Sequence, residues 1–145
     1  MKLLLFITSL SLFVGSCAAC KEGPKVEPPL YDTKWSLKKI HTKDSVQNVQ
    51  TKAFIKFNKE KNSAGGNGSC NSFGSNTSVN GSAITFKNIF STKMYCEEVQ
   101  QVENNFLGSL GKVTSYEIKD KALLLYHDKE LMLEFTAEEE KKNTE

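Results

Sequence analysis

The stretch GGNGSCNSFGSN, Gly65–Asn76, decides how this chain is read. Glycine, asparagine and serine fill it, with one cysteine in the middle. A phosphate-cradling loop, a metal knuckle and a tight corner between strands can all look like this. A phosphate loop needs its glycines to run into Gly-Lys-Ser/Thr at the start of a helix. Here they run into Ser69-Cys70-Asn71-Ser72-Phe73, with no lysine and with strand-like sequence following. A zinc site needs four converging ligands. Cys17-x-x-Cys20 has the local spacing but sits beside an export signal, and His41 and His127 stand alone. The corner remains, where glycine and asparagine make positive φ cheap.

Outward from the corner, most segments read as short strands. Thr33–His41 alternates, with Trp35, Leu37 and Lys39 on one side and Trp35 as a core anchor. Ala53–Phe57 is apolar and β-prone, and Asn62–Gly68 predicts a weak, bent strand or bulge. Ser72–Val79 is polar around Phe73, and Asn80-Gly81 signals a two-residue hairpin turn. Ala83–Phe86 and Ile89–Phe90 follow it. The period then changes. Val99, Val102, Phe106, Leu107 and Leu110 fall on one face of a helix, with Glu97 and Glu98 in its first turn and Gly108 and Gly111 near its end. Val113–Ile118, Leu123–Tyr126 and Leu131–Phe135 return to strand, joined by turns at Asp120-Lys121 and Asp128-Lys129. The expected fold is mainly β: a small, barrel-like, curved antiparallel sheet of about eight strands, with one α-helix plugging or flanking it. Short strands without a repeated lipid-facing band argue against a membrane barrel.

The N-terminus reads MKLLLFITSLSLFVGSC. One lysine precedes an apolar run near signal-peptide length and too short to span a bilayer. Val14-Gly15-Ser16-Cys17 resembles a bacterial lipobox, which implies cleavage before Cys17 and lipid attachment to its sulfur. The competing reading is an ordinary signal peptide cleaved after Ala18 or Ala19. Residues 1–16 are then the signal, 17–30 a proline-bearing tether, 31–136 one domain, and 137–145 a charged tail. The expected location is the cell envelope, lipid-anchored, with the protein on the outer membrane and facing the periplasm, because Ala18 is not the aspartate associated with inner-membrane retention. In an oxidising compartment Cys70 and Cys96 are the pair inside the domain, worth roughly 3–4 kcal/mol in the chain-entropy account. Cys20 is left over in the tether.

Net charge is +2 and every basic residue is lysine. Without arginine, nucleic-acid readout and bidentate phosphate recognition are disfavoured. No G-x-S-x-G elbow or H-E-x-x-H motif is present, and Glu97 and Glu98, being consecutive, do not face each other. The reading is therefore of a chain with no catalytic, metal or cofactor-binding residues. The Asn-x-Ser/Thr triplets at Asn67, Asn76 and Asn80 are turn composition.

The order of motifs also carries a resemblance. KWSLKKIH is followed by FIKF, by GNGSCNSFGSN, by ITFKNIFSTKMYC, by a helix ending in FLGSL, and by a closing LMLEF. This resembles the META domain (HslJ-like) family over about Tyr31–Thr136. Ser69 departs from the pattern, which usually has glycine before the cysteine. The resemblance implies a small barrel-like sheet with one helix, matches Cys70 and Cys96 to the family's paired cysteines, and brings envelope and stress-linked biology without enzymatic activity. The function expected is a monomeric, non-catalytic envelope lipoprotein that supports envelope integrity or stress tolerance through a protein partner. The alternative is a barrel that binds an acyl chain or other small apolar ligand.

Overall fold

The structure, a computed structural model, describes residues 27–138. Cys17, Cys20, the signal segment and the tail from residue 139 onward lie outside the described residues. Nine strands and one helix follow in chain order: β1 (Trp35–His41), β2 (Val46–Asn48), β3 (Phe54–Asn58), β4 (Ser63–Asn67), β5 (Ser72–Asn80), β6 (Ala83–Ser91), α1 (Gln100–Leu110), β7 (Ser115–Lys119), β8 (Ala122–His127) and β9 (Glu130–Ala137). All pairings are antiparallel. The hydrogen-bonded order is β2-β1-β3-β4-β5-β6-β7-β8-β9, and β1 also pairs with β9, closing the sheet on itself. β1 gives one edge to β9 and divides the other: Trp35 and Ser36 face β3, while Lys39–His41 face β2. Eight strands therefore form the ring, and β2 is an added short strand that the sequence reading did not contain.

The expected alternation of β1 breaks at Lys38. Leu37 pairs with Phe135 but Lys39 pairs with Glu134, so Lys38 is an extra, bulged residue. The bulge turns Ile40, rather than Lys39, into the core and frees the Lys38 carbonyl to accept the Val49 N–H at 2.7 Å. A second bulge explains why β6 read as two pieces. Gly74 pairs with Phe90 and Asn76 with Lys87, leaving Asn88 and Ile89 opposite Ser75, with Asn88 at φ 53. An asparagine accepts that left-handed backbone at low cost. The β5–β6 turn is centred on Gly81 and Ser82, one residue later than the Asn80-Gly81 signal, with Gly81 at φ 59. The two aspartate turns fall where expected, Asp120 and Asp128 both taking positive φ.

Side chains from every wall fill the interior. Trp35, Leu37, Ile40, Ile55, Ile84, Leu123, Leu125, Leu133 and Phe135 are essentially inaccessible. Both ends of the ring are stoppered. Helix α1 covers one end, its Phe106 ring lying 5.4 Å from Phe73 and 5.8 Å from Phe135 between centroids. At the other, residues 28–30, expected in the tether, are docked instead. Leu30 is buried, its carbonyl accepts the Trp35 indole N–H at 3.0 Å, and the Pro29 carbonyl accepts the Thr33 hydroxyl at 2.6 Å. A buried indole N–H needs such an acceptor, which draws the domain boundary upstream. β9 also outlasts Phe135: Ala137 pairs with Trp35, and the Glu138 N–H bonds the Lys34 carbonyl.

The opening stretch is a corner between β4 and β5, but its glycines act differently from expectation. None of Gly65, Gly66, Gly68 and Gly74 has positive φ. Gly66 permits close backbone approach, since a Cβ there would lie 2.1 Å from the Phe54 carbonyl oxygen. The residue with the left-handed backbone is Ser69, at φ 122, the position where the quoted pattern departs from glycine. Two hydrogen bonds hold it there: its N–H to Asn67 Oδ1 at 2.9 Å, and its hydroxyl with that of Thr51 at 2.7 Å. Ser69→Ala keeps the backbone strain and loses the hydroxyl bond, worth about 1 kcal/mol. Ser69→Gly loses the same bond and relieves strain of about 1–3 kcal/mol. Urea denaturation should therefore rank Ser69→Gly as the more stable of the two, by about 1 kcal/mol or more.

Candidate functional site

The corner is built on a glutamate that the sequence reading passed over. Glu97 and Glu98 do not open the helix. They lie in a turn ahead of it, exposed, and α1 begins at Gln100 after Val99. The acidic residue of the first turn is Glu103, and it is buried. Its Oε2 accepts the backbone N–H of Cys70 at 3.0 Å and of Asn71 at 2.6 Å, and its Oε1 accepts from Asn71 Nδ2 at 2.6 Å. A Cβ on Gly68 would sit 2.8 Å from Glu103 Oε2, so Gly68 leaves room for the carboxyl. A signal for this residue was present. Val99, Glu103, Phe106 and Leu110 share one helical face, so an acidic side chain lies in the apolar stripe.

Asn71 passes the anchorage on. It is buried and its side chain uses its full bonding capacity. Oδ1 accepts from the Thr92 hydroxyl and the Met94 N–H, both at 2.8 Å, while Nδ2 donates to Glu103 and to the Met94 carbonyl at 2.9 Å. The loop from β6 to α1 is thereby fixed to the corner. Cys70 and Cys96 form a disulfide beside these bonds, with Cα atoms 5.9 Å apart. That loop and the end of β6 expose Phe90 (68%), Met94 (63%) and Tyr95 (76%). Phe90 lies over Gly74, where a Cβ would approach its ring to 2.6 Å.

The two histidines, apart in sequence, reach one open groove of about 880 Å³ between α1, the β1–β2 connection and the β8–β9 turn. Lys43, Asn105, Lys112 and Met132 share its lining. Neither histidine faces a nucleophile-like arrangement. His41 Nε2 meets Glu134 at 3.2 Å, and His127 Nδ1 bonds the Lys112 carbonyl at 2.7 Å, just past the end of α1. Among the described residues no group of three or more His, Cys, Asp or Glu side chains could hold a metal ion. Gly108 lies inside α1, and Gly111 alone is its C-cap.

The META domain profile matches residues 28–140. The chain belongs to the META domain family. Two solved structures share the fold of this META-domain chain. One, the NMR structure of a protein from Burkholderia xenovorans, has a TM-score of 0.64 at 17% identity, covering 95% of this chain and 100% of that one. A second NMR structure has a TM-score of 0.53 at 19% identity, covering 72% and 87%. No curated protein matches the META chain.

Two predictions follow from the site's bonds. Glu103→Ala leaves three donors without that acceptor, the two on Asn71 buried and the Cys70 N–H partly so, at about 1–3 kcal/mol for each buried one. Equilibrium denaturation should show one of the largest losses of any single substitution, about 3 kcal/mol or more, while an exposed Glu98→Ala stays near wild type. The second concerns acid. Burial alone would raise the Glu134 carboxyl, but hydrogen bonds and charge from Lys39 and His41 outweigh it and hold the group below its ordinary 4.5. Hydrogen bonds from Lys34 and then Ser36 hold Glu138 low as well. The stability these pairs add is complete above the unfolded carboxyl value and is lost as pH falls through the lowered native values. Denaturation midpoints measured from pH ~6 to ~3 should fall less steeply in Glu134→Gln than in wild type.

Proposed function

We propose that this META-domain protein is a non-catalytic, monomeric lipoprotein of the cell envelope, anchored through Cys17 to the outer membrane and facing the periplasm. It supports envelope integrity or stress tolerance by engaging a protein partner. One observation carries the reading. In the antiparallel ring, β1 starts at the end where Leu30 and Tyr31 enter, together with the β3–β4, β5–β6 and β7–β8 turns. The large hydrophobics exposed among the described residues, Val46, Phe90, Met94 and Tyr95, belong to β2, to the last turn of β6 and to the loop after it. These lie at the opposite end. A chain held at its N-terminus would present them away from the membrane, and exposed aromatic and methionine side chains favour protein contact.

The packed interior weighs against the apolar-ligand alternative. An acyl chain inside the ring would have to displace Trp35, Phe106 or Phe135, each wholly buried, at several kcal/mol per side chain.

A photo-crosslinking amino acid placed at Tyr95 in the native envelope should trap one discrete partner, and one placed at Lys59 on the opposite end should not. Phe90→Ser with Met94→Ser should abolish the Tyr95 adduct without lowering Tm. The intact mass of the membrane-extracted protein should correspond to an acylated chain starting at Cys17. Turnover of a substrate by the purified protein, abolished by His41→Ala or His127→Ala, would overturn the proposal.

A further inference from the structure

We infer that the Cys70–Cys96 disulfide is a redox control on the display of the Met94–Tyr95 loop, with the barrel itself held by other means. The two ends of the loop are secure. Thr92 N–H bonds the Ser72 carbonyl at 3.0 Å, and the Val99 carbonyl accepts from Glu103 inside the helix at 3.1 Å. Between them, among the described residues, Asn71 holds the Met94 N–H and carbonyl, and the Cys96 carbonyl accepts the N–H groups of Val99 at 3.1 Å and Gln100 at 2.8 Å. The disulfide at Cys96 is the covalent attachment to the corner. Lys93, Met94, Tyr95, Glu97 and Glu98 are exposed, so packing adds little. The loop overhangs a groove of about 570 Å³ against α1, lined by Thr92, Tyr95, Gln100 and Leu107 among others, which leaves it room to move.

The barrel does not share this dependence. The corner is bonded to α1 through Glu103 on both Cys70 and Asn71 backbone N–H groups, whatever the state of the sulfurs. α1 is also seated by Phe106 and Leu110 in the core. Both cysteines are partly exposed, within reach of an attacking thiolate. A dithiol supplies the chemistry. Its thiolate attacks one sulfur to give a mixed disulfide, and its second thiol then displaces the protein. The dithiol becomes a disulfide, and Cys70 and Cys96 gain two electrons and two protons as thiols. Reduction thus removes the loop's covalent tie to the corner and leaves Asn71 at Met94 and the short turn from the Cys96 carbonyl to α1.

Hydrogen exchange with and without a dithiol tests this under native conditions. The hydrogen-bonded amides of Met94, Val99 and Gln100 should exchange at least ten-fold faster after reduction, those of β1 and β9 should not change, and Trp35 emission should stay that of a buried indole. Cys96→Ser should reproduce the reduced pattern. Asn71→Ala in the oxidised protein should loosen the Met94 amide in particular, because it removes the side-chain attachment there. Unchanged loop exchange on reduction would overturn the inference, and so would a shift in Trp35 emission, because the disulfide would then be holding the barrel. The consequence for partner binding rests on the function proposed above. If the loop loosens while the Tyr95 crosslink persists, the partner reading stands and redox control of display is overturned; if the loop loosens and no Tyr95 crosslink forms in either redox state, the partner reading fails and the loosening stands.

Discussion

The carboxyl of Glu103 is the constraint on which the helix-bearing end of the barrel depends. It accepts three N–H donors from a two-residue segment, Cys70–Asn71, that belongs to a different element. Those donors have no ladder partner, so without the carboxyl they would be unpaired, the two on Asn71 in a buried setting. With it, the strand corner and the helix become one rigid piece. Asn71 then spends its amide on Thr92 and Met94, which fixes the approach to the helix. Gly68 is needed because the carboxyl occupies the space its Cβ would take.

The same logic governs the ends of the ring. A closed sheet leaves no free edges around its wall, but it is open above and below. Here α1 seals one end with Phe106, and the segment around Leu30 seals the other through the Trp35 indole. The interior of the ring is occupied by its own side chains. Its exposed large hydrophobics gather at the end that Glu103 and Asn71 organise. A rigid corner beside an exposed loop held at few points joins order and compliance in one place. Interaction surfaces draw on such locally weak segments.

Much of the fold was legible. Alternating apolar residues marked the strands, a change of period marked α1, and Asp120-Lys121 and Asp128-Lys129 marked their turns because each physical cause is local. The misreadings have causes outside the local sequence. Lys38 and Asn88–Ile89 are bulges, in which one extra residue reverses the inside-outside pattern, and a bulge is defined by the partner strand rather than by its own sequence. β2 is three residues long and exists because the bulged Lys38 carbonyl offers Val49 a hydrogen bond.

The sequence by itself determined that this chain would be a small, mostly β, disulfide-bearing META domain behind an apolar N-terminal segment, because composition, periodicity and motif order are properties of the linear chain. It also held the clue to Glu103, an acid on an apolar helical face, but not its partners. Only the tertiary structure decided that the glycines of Gly65–Asn76 serve close approach while Ser69 takes the left-handed backbone. It alone joined Glu103 to Asn71, brought His41 and His127 to one groove, and set the exposed hydrophobics opposite the N-terminal entry. Each of these is a relation between residues far apart in the chain. Such relations come from which backbone groups find partners when the sheet closes, and no local propensity encodes that.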